Sequence, residues 1–406
     1  MTNAEYWIWL QTALGYGSIK PFRIFEKFDT AKDFYESGID GWKTCKYFST
    51  KDITKLRDTS LERSYKVIEQ CKRRQYDIIT PEDASYPTRL MNIKNPPAVI
   101  YVKGQLPNID DETVIAIVGT RKCSDLGNAI AQTISYRLSC CGAVIVSGGA
   151  MGCDIAATKG ALKAKAKSII VLGCGLSYPY LMQNSRYRSD VAENGAVITE
   201  FQPFEPASRY TFPVRNRLMS ALSLGVMVVE APERSGALIT VEHALEQGKY
   251  IFTVPGAITS KRFLGNNRLL EDGAIPVFTP YDIISEFISE YSHKLNYENS
   301  RTLLGEDNML LSLLDENSDV EQTEHKKQPK KKVEKKIENQ PKAPQKTNNL
   351  IGLNAKIYSY FTNGAVNIDT IIEQSQIDSA EVLVAITELE IEGYIRPVGG
   401  GRYEQA

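Results

Sequence analysis

The sequence predicts an α/β fold, a doubly wound and mostly parallel sheet, from three features of residues 113 to 280. Six short runs rich in Val and Ile follow one another: "TVIAIVG" at 113, "AVIVSGG" at 143, "SIIVLGCG" at 168, "GAVITEF" at 195, "GVMVVEA" at 225 and "KYIFTVPG" at 249. Most end in glycine, and stretches of helical period separate them. Continuous apolar runs mark strands buried on both faces, and parallel strands need crossover helices between them.

The elements before and after this block follow from their own patterns. Residues 1–72 carry tryptophan and tyrosine at helical period, and "LQTALGYGSIKPFRIFEKF" reads as helix, glycine turn, helix. Such a hairpin touches DNA phosphates through its turn N–H groups or serves as a docking or dimerising domain; the residues leave both open. Residues 73–295 form the core domain, in which "YDIITPEDASYPTRLMNIKNPPAVIYVKG" at 76 adds two strands as an N-terminal extension of the sheet. Residues 296–349 are a lysine-rich linker, with nine lysines between Lys326 and Lys346 against two glutamates and too little apolar content to fold. It adds salt-sensitive, sequence-blind DNA affinity or is a solubilising spacer.

Residues 350–406 regain an apolar pattern, three short helices and a glycine-turned hairpin, which describes a winged helix-turn-helix. Its recognition helix, "DSAEVLVAITELEIEG", is capped by Asp378, has Glu381 in its first turn and stops at Gly393. It holds four glutamates and no Lys or Arg, and Arg396 and Arg402 are the wing's only cations. Phosphate would repel that helix, so the module is expected to bind protein or itself rather than duplex DNA.

Composition bounds the function classes. With 406 residues and 42 % apolar content there is material for two or three domains. A net charge of −1 excludes nothing, because acidic surface can cancel a basic site. Seven cysteines without CxxC spacing make neither a disulfide nor a zinc framework, and adjacent Cys140 and Cys141 read as packed small apolar residues. "MTNAEYWIWLQTALG" has no basic n-region or cleavage site, and no apolar run reaches about 18 residues. A reduced, soluble, cytoplasmic protein without membrane insertion is expected.

The strand-to-helix loop "GAVIVSGGAMGCDIAATKGAL", residues 142–162, is the first candidate site. Ser147, Gly148, Gly149 and Gly152 would let backbone approach an anion, with a helix beginning near Asp154 aiming its free N–H groups at it. The spacing departs from GxGxxG, no acidic residue ends the second strand, and GxxxxGK[ST] is absent, which argues against a dinucleotide and a P-loop. Tight strand-to-helix packing is the other reading of the loop when it stands alone. Arg121, directly after the first strand, places a cation beside it, and "ASRYTFPVRNRLMSALS" adds Arg209, Tyr210, Phe212, Arg215, Asn216 and Arg217. On a helix from Pro213, Leu218, Ala221 and Leu222 form an apolar stripe and Asn216 points nearly opposite. Arginines interleaved with aromatics suit a single-stranded nucleic acid, forks for phosphate and ring faces for unpaired bases; internal ion pairs around a core Phe are the other possibility.

The ordered run "GTRKCSDLG", "VSGGAMGCDIAATKGAL", "VLGCGLSYPYLMQN", "FPVRNRLMSALS", "VVEAPERSGALITVEHALEQGK" and "VPGAITSKRFLGNNRLLEDGA" resembles the DprA/Smf family of bacterial DNA-processing proteins, over roughly residues 76 to 280. The resemblance implies an extended Rossmann-like fold that binds and protects single-stranded DNA and helps load the recombinase RecA, typically in natural transformation. It places the family's DNA-contacting arginine on Arg121, its basic and aromatic residues on Arg209 and Phe212, and its phosphate-facing loop on Gly148, Gly149 and Gly152. Many members have Ala-His at Ala157-Thr158 and Leu at Gly149, and Cys153 replaces a usual apolar residue.

Catalysis would need a positioned acid or base. Related nucleotide hydrolases carry PGGxGTxxE; here Gly236, Thr240 and Glu242 are partial counterparts with a glycine and the GT spacing missing. His243 reads as a surface or packing residue, His293 and His325 lie at or in the linker, and Glu200 and Glu230 are expected to orient arginines such as Arg215 and Arg217. The expectation is therefore no enzyme, no cofactor and no metal, but a homodimeric single-stranded DNA binder with RecA as partner. Arg121 and Arg209 would neutralise phosphates, Phe212 would stack on or wedge against a base, and Arg215, Asn216 and Arg217 would extend or support the groove. The rival is a nucleotide-binding or nucleoside-monophosphate-hydrolysing protein on the same loop.

Overall fold

The computed structural model describes residues 3–296 and, with interruptions, 353–405. The chain divides into two compact units, Met1–Lys326 and Lys327–Ala406. Apart from Asn296, the lysine-rich linker lies outside the described residues, as do Asp378, Glu381 and Gly393.

The first unit opens with helices α1 (Ala4–Leu14), α2 (Ala31–Glu36), α3 (Gly38–Trp42), α4 (Thr50–Leu56) and α5 (Glu62–Arg73). Between α1 and α2, Gly15 and Gly17 turn the chain at positive φ into a 3-10 turn, Lys20–Glu26, so the expected second helix of the hairpin is the tighter form with Pro21 at its start. Trp7, Trp9, Phe34 and Trp42 build an aromatic core that also takes in Val99 and Tyr101 of the sheet domain. The helices and the sheet are thus joined by shared buried surface.

Nine strands form one sheet in the order β1-β2-β6-β5-β4-β3-β7-β8-β9. They are β1 (Asp77–Ile79), β2 (Ile100–Gly104), β3 (Val114–Val118), β4 (Val144–Ser147), β5 (Ser168–Val171), β6 (Ala196–Thr199), β7 (Gly225–Val228), β8 (Tyr250–Thr253) and β9 (Ile275–Pro276). From β3 onward all pairings are parallel, while β1 and β2 extend the sheet antiparallel beyond β6. The six runs read from the sequence are β3 to β8; β9, two residues long and ending in proline, is too short to have a strand signature.

Period-2 alternation sends each strand's side chains to two different cores. On β3, Val114, Ala116 and Val118 join Leu218, Met219 and Leu222 of α10 (Thr211–Leu222), after short α6 (Thr88–Met91), on one face. Ile115 and Ile117 meet α7 (Asp125–Cys140) and α8 (Cys153–Lys163) on the other. The Ser124 hydroxyl caps α7 by accepting the Gly127 N–H. Helices α9 (Ser185–Glu193), α11 (Ala237–Glu246), α12 (Leu264–Glu271) and α13 (Tyr281–Ile284) complete the layers. The chain steps outward from β3 to β6, then returns to lay β7 on the other side of β3. That reversal is the switch point at which doubly wound sheets open a crevice beyond their carboxyl ends.

In the second unit, Leu353–Tyr358 and Ile368–Ser375 are helical, and strands 366–367, 395–399 and 402–405 form a three-stranded sheet. Val382, Ala385, Ile386 and Leu389 are buried at helical spacing, while Glu388 and Glu390 are exposed. In the wing, Arg396 pairs with Glu404 at 2.7 Å.

Candidate nucleic-acid interface

A cavity of about 350 Å³ opens beyond the carboxyl ends of β3 and β7. Residues 118–121 after β3 form one wall, Phe212, Asn216 and Met219 of α10 a second, and Arg234, Ser235 and Gly236 ahead of α11 a third. Arg121 is exposed at its mouth, with its guanidinium 4.6 Å from the centroid of the Phe212 ring. The ring is half-buried, tilted against Tyr180 at 5.6 Å, and seated on Gly173, where a Cβ would come within 2.9 Å of it. Arg121 makes no ion pair among the described residues, so the guanidinium is held by the ring face and free to meet an anion. Thr240 lines the same cavity, its hydroxyl oxygen buried and without a hydrogen-bond partner among the described residues.

The glycine loop is occupied from within. Asp154, on the first turn of α8, accepts hydrogen bonds from the Ala150 N–H at 3.4 Å and from the Gly148 N–H. The Arg215 Nη1 donates to the carbonyls of Gly148 (2.8 Å) and Val171, and its Nε donates to the Asn216 side-chain oxygen at 3.0 Å. Gly148 sits between these charges, and a Cβ there would lie 2.4 Å from the Arg215 guanidinium and 2.5 Å from the Asp154 carboxylate. Burial pushes the Asp154 carboxyl above the usual carboxylate range, and the Arg215 charge opposes that rise. Burial also pulls Arg215 below the usual guanidinium range, against the attraction of Asp154. Gly152, with φ of +76°, brings its backbone so close that a Cβ would meet the Thr120 carbonyl at 2.3 Å, which fastens the loop to the Arg121 segment.

These contacts correct several expectations. Ser147 is buried and donates its hydroxyl to the Ile117 carbonyl at 2.8 Å, so it ties β4 to β3 instead of facing the crevice. Gly148 and Gly149 are buried; the loop N–H groups at 148 and 150 face an internal carboxylate, where an external phosphate was expected. Arg217 is buried in an ion pair with Glu200, as expected of that glutamate, and so does not extend a groove. Glu230 does hold an arginine, but Arg262 at 3.1 Å in place of Arg215 or Arg217, and it also accepts from the Ser124 N–H and hydroxyl. Asn216 is 7 % exposed and lines the cavity, its amide reaching the Gly236 carbonyl at 3.4 Å. Helix α10 starts at Thr211, two residues before Pro213, and Arg209 is exposed on the loop ahead of it.

The structure therefore brings Arg121, Phe212, Arg215 and Asn216 together around one cavity, while Gly152, half-buried, packs on the Thr120 carbonyl beside it. Arg215 stands beneath as a brace. Arg234 and Ser235, unassigned from sequence, are added by the loop after β7, and the strand-end rule that found Arg121 would have found them if applied there. Glu242, the acid of the rival hydrolase pattern, is exposed on α11 and does not line the cavity. Among the described residues no helix is long and apolar enough to cross a membrane, and no group of three or more His, Cys, Asp or Glu is placed to hold a metal.

Comparison with known proteins agrees with this architecture. The sequence model described as DNA recombination-mediator protein A matches residues 77–288, and that of the DprA winged helix domain matches residues 341–401. The DNA processing protein DprA of Bacillus subtilis is 35 % identical over 201 residues, covering 50 % of this chain and 68 % of that one. That of Streptococcus pneumoniae is 33 % identical over 246 residues, 60 % of this chain and 80 % of the other. The X-ray structure of DNA processing protein A from Streptococcus pneumoniae superposes with a TM-score of 0.56 at 29 % identity, covering 70 % of this chain and 99 % of that one. By sequence and by fold, the chain belongs to the DprA/Smf family, that of DNA recombination-mediator protein A.

Proposed function

We propose that this chain binds single-stranded DNA at the β3/β7 crevice, protects it and helps load the recombinase RecA onto it, acting in the cytoplasm as a homodimer and without catalysing a reaction. The observation that carries the proposal is Arg121, exposed and seated on the Phe212 ring at the mouth of the cavity, while the neighbouring Arg215 is buried against backbone carbonyls and Arg217 is buried in an ion pair. A cation and a ring face presented together meet a phosphate and an unpaired base at once, and duplex DNA keeps its base faces covered. Arg209 and Arg234, both exposed, supply further charge on either side of α10. Asn216, which lines the cavity, offers a hydrogen bond to a base entering it. Arg215, Arg217, Ser147, Gly148, Gly149 and Gly152 act on this interface by holding its walls. Family membership supports a role in DNA processing during recombination.

The test is fluorescence anisotropy with labelled single-stranded and duplex oligonucleotides, followed by RecA filament formation on strands coated with a single-strand binding protein. Tighter binding of the single strand, and faster filament formation when the protein is added, is the expected result. Equal binding of both forms, or release of free base from nucleoside monophosphates, would overturn it.

A further inference from the structure

Seven free cysteines are present, and among them only Cys123 and Cys153 bring their sulfurs together. Their Sγ atoms are 3.1 Å apart across 30 residues of chain, about 1 Å beyond the ~2.05 Å of a disulfide. Cys123 is half-buried at the start of α7 and its thiol points to the Glu230 carboxylate at 3.8 Å; Cys153 is fully buried at the first position of α8. The approach is held by backbone: the Cys153 N–H donates to the Thr120 carbonyl at 3.3 Å, and Gly119 packs so tightly on Cys153 that a Cβ there would lie 2.4 Å from its sulfur.

We propose that Cys123 and Cys153 are an oxidation site at which a peroxide converts two thiols into a reversible intrachain disulfide. Cys123, the partly exposed member, attacks a peroxide oxygen: an S–O bond forms, the O–O bond breaks, and one water leaves, giving a sulfenic acid. The Cys153 sulfur then attacks the Cys123 sulfur, the S–O bond breaks, and the second water carries off the thiol proton. Two thiols lose two electrons to one peroxide, which is reduced to two waters. Because the second sulfur is already in place, the sulfenic acid is consumed before a second peroxide can take it to the irreversible sulfinic acid. The bridge would join the segment that carries Arg121 to the helix that carries Asp154, two elements already packed together at Gly152.

The test is to treat the folded full-length chain with hydrogen peroxide, quench with acid, alkylate under denaturing conditions, and follow each cysteine by peptide mass. The expected result is that Cys123 and Cys153 lose alkylation one for one ahead of the other five, that their peptides appear linked with the loss of two hydrogens, and that dithiothreitol restores both. In Cys153→Ser, Cys123 should advance to sulfinic acid, and the rise in thermal midpoint expected of the oxidised wild type should be absent. Oxidation of Cys123 with Cys153 still fully alkylatable, or pairing of either with another cysteine, would overturn the proposal.

Discussion

Replacing Arg121 by alanine removes an exposed cation at the cavity mouth that makes no ion pair among the described residues, while leaving the braces beneath it intact. A hydrogen bond between charged groups contributes about 1.5–3 kcal/mol, and every 1.4 kcal/mol is about tenfold in affinity. Single-strand binding should therefore weaken by roughly 10- to 100-fold at low salt. The loss has a second signature. Each phosphate neutralised on a single strand adds ~0.7 to the slope of log K against log salt, so the variant's line should be flatter by about that much. Between 50 and 200 mM salt this makes the wild-type advantage shrink by ~2.6-fold. Anisotropy titrations at four or more salt concentrations give both quantities. Because Arg121 is exposed and without an ion pair, the denaturation midpoint should hardly move. Parallel salt lines, or unchanged affinity, would refute the assignment of Arg121 to a phosphate.

The inner braces make different predictions. Asp154→Ala removes a buried carboxylate that faces Arg215 across Gly148 and accepts the Ala150 N–H, which costs about 1–3 kcal/mol by leaving a buried donor unsatisfied, read as a lowered urea midpoint; a surface-like change near ~0.5 kcal/mol would contradict the bracing role. Glu200 is held above the usual carboxylate range by burial, with Arg217 opposing the rise. Its folded form therefore binds a proton more tightly than its unfolded form, so the stability it contributes is fullest below the ordinary glutamate value of 4.5 and declines as pH rises toward the raised one. Urea unfolding from pH 4 upward should show the wild type losing ground to Glu200→Gln across that window and then holding level. A wild type that gains stability relative to Glu200→Gln as pH rises would mean the shift has the opposite sign.

Much of this architecture is legible in the sequence because buried parallel strands write themselves as Val and Ile runs. Strands β3 to β8 announce themselves in this way, and Arg121 follows from the rule that ligands sit beyond strand ends. The direction in which Arg215 and Arg217 point is not legible. Helical spacing on α10 places them relative to Leu218 and Leu222, but what they meet, the carbonyls of Gly148 and Val171 and the carboxylate of Glu200, comes from three other strand ends. The same holds for the glycine loop. Its composition fits an anion site, and its anion is the carboxylate of Asp154, four residues beyond Ala150, which only the closed turn brings back onto the loop. Small residues were needed there because two charged side chains fill the space that a phosphate would otherwise take.

Hydrogen–deuterium exchange of the full-length protein with and without a single-stranded oligothymidine tests the location of the interface most directly. Protection is expected at residues 119–123, 209–216 and 232–240, the three walls of the cavity, and should disappear from all three in Arg121→Ala at the same oligonucleotide concentration. Protection confined to the winged helix or to the lysine-rich segment, with the cavity walls unchanged, would place the DNA elsewhere and contradict it.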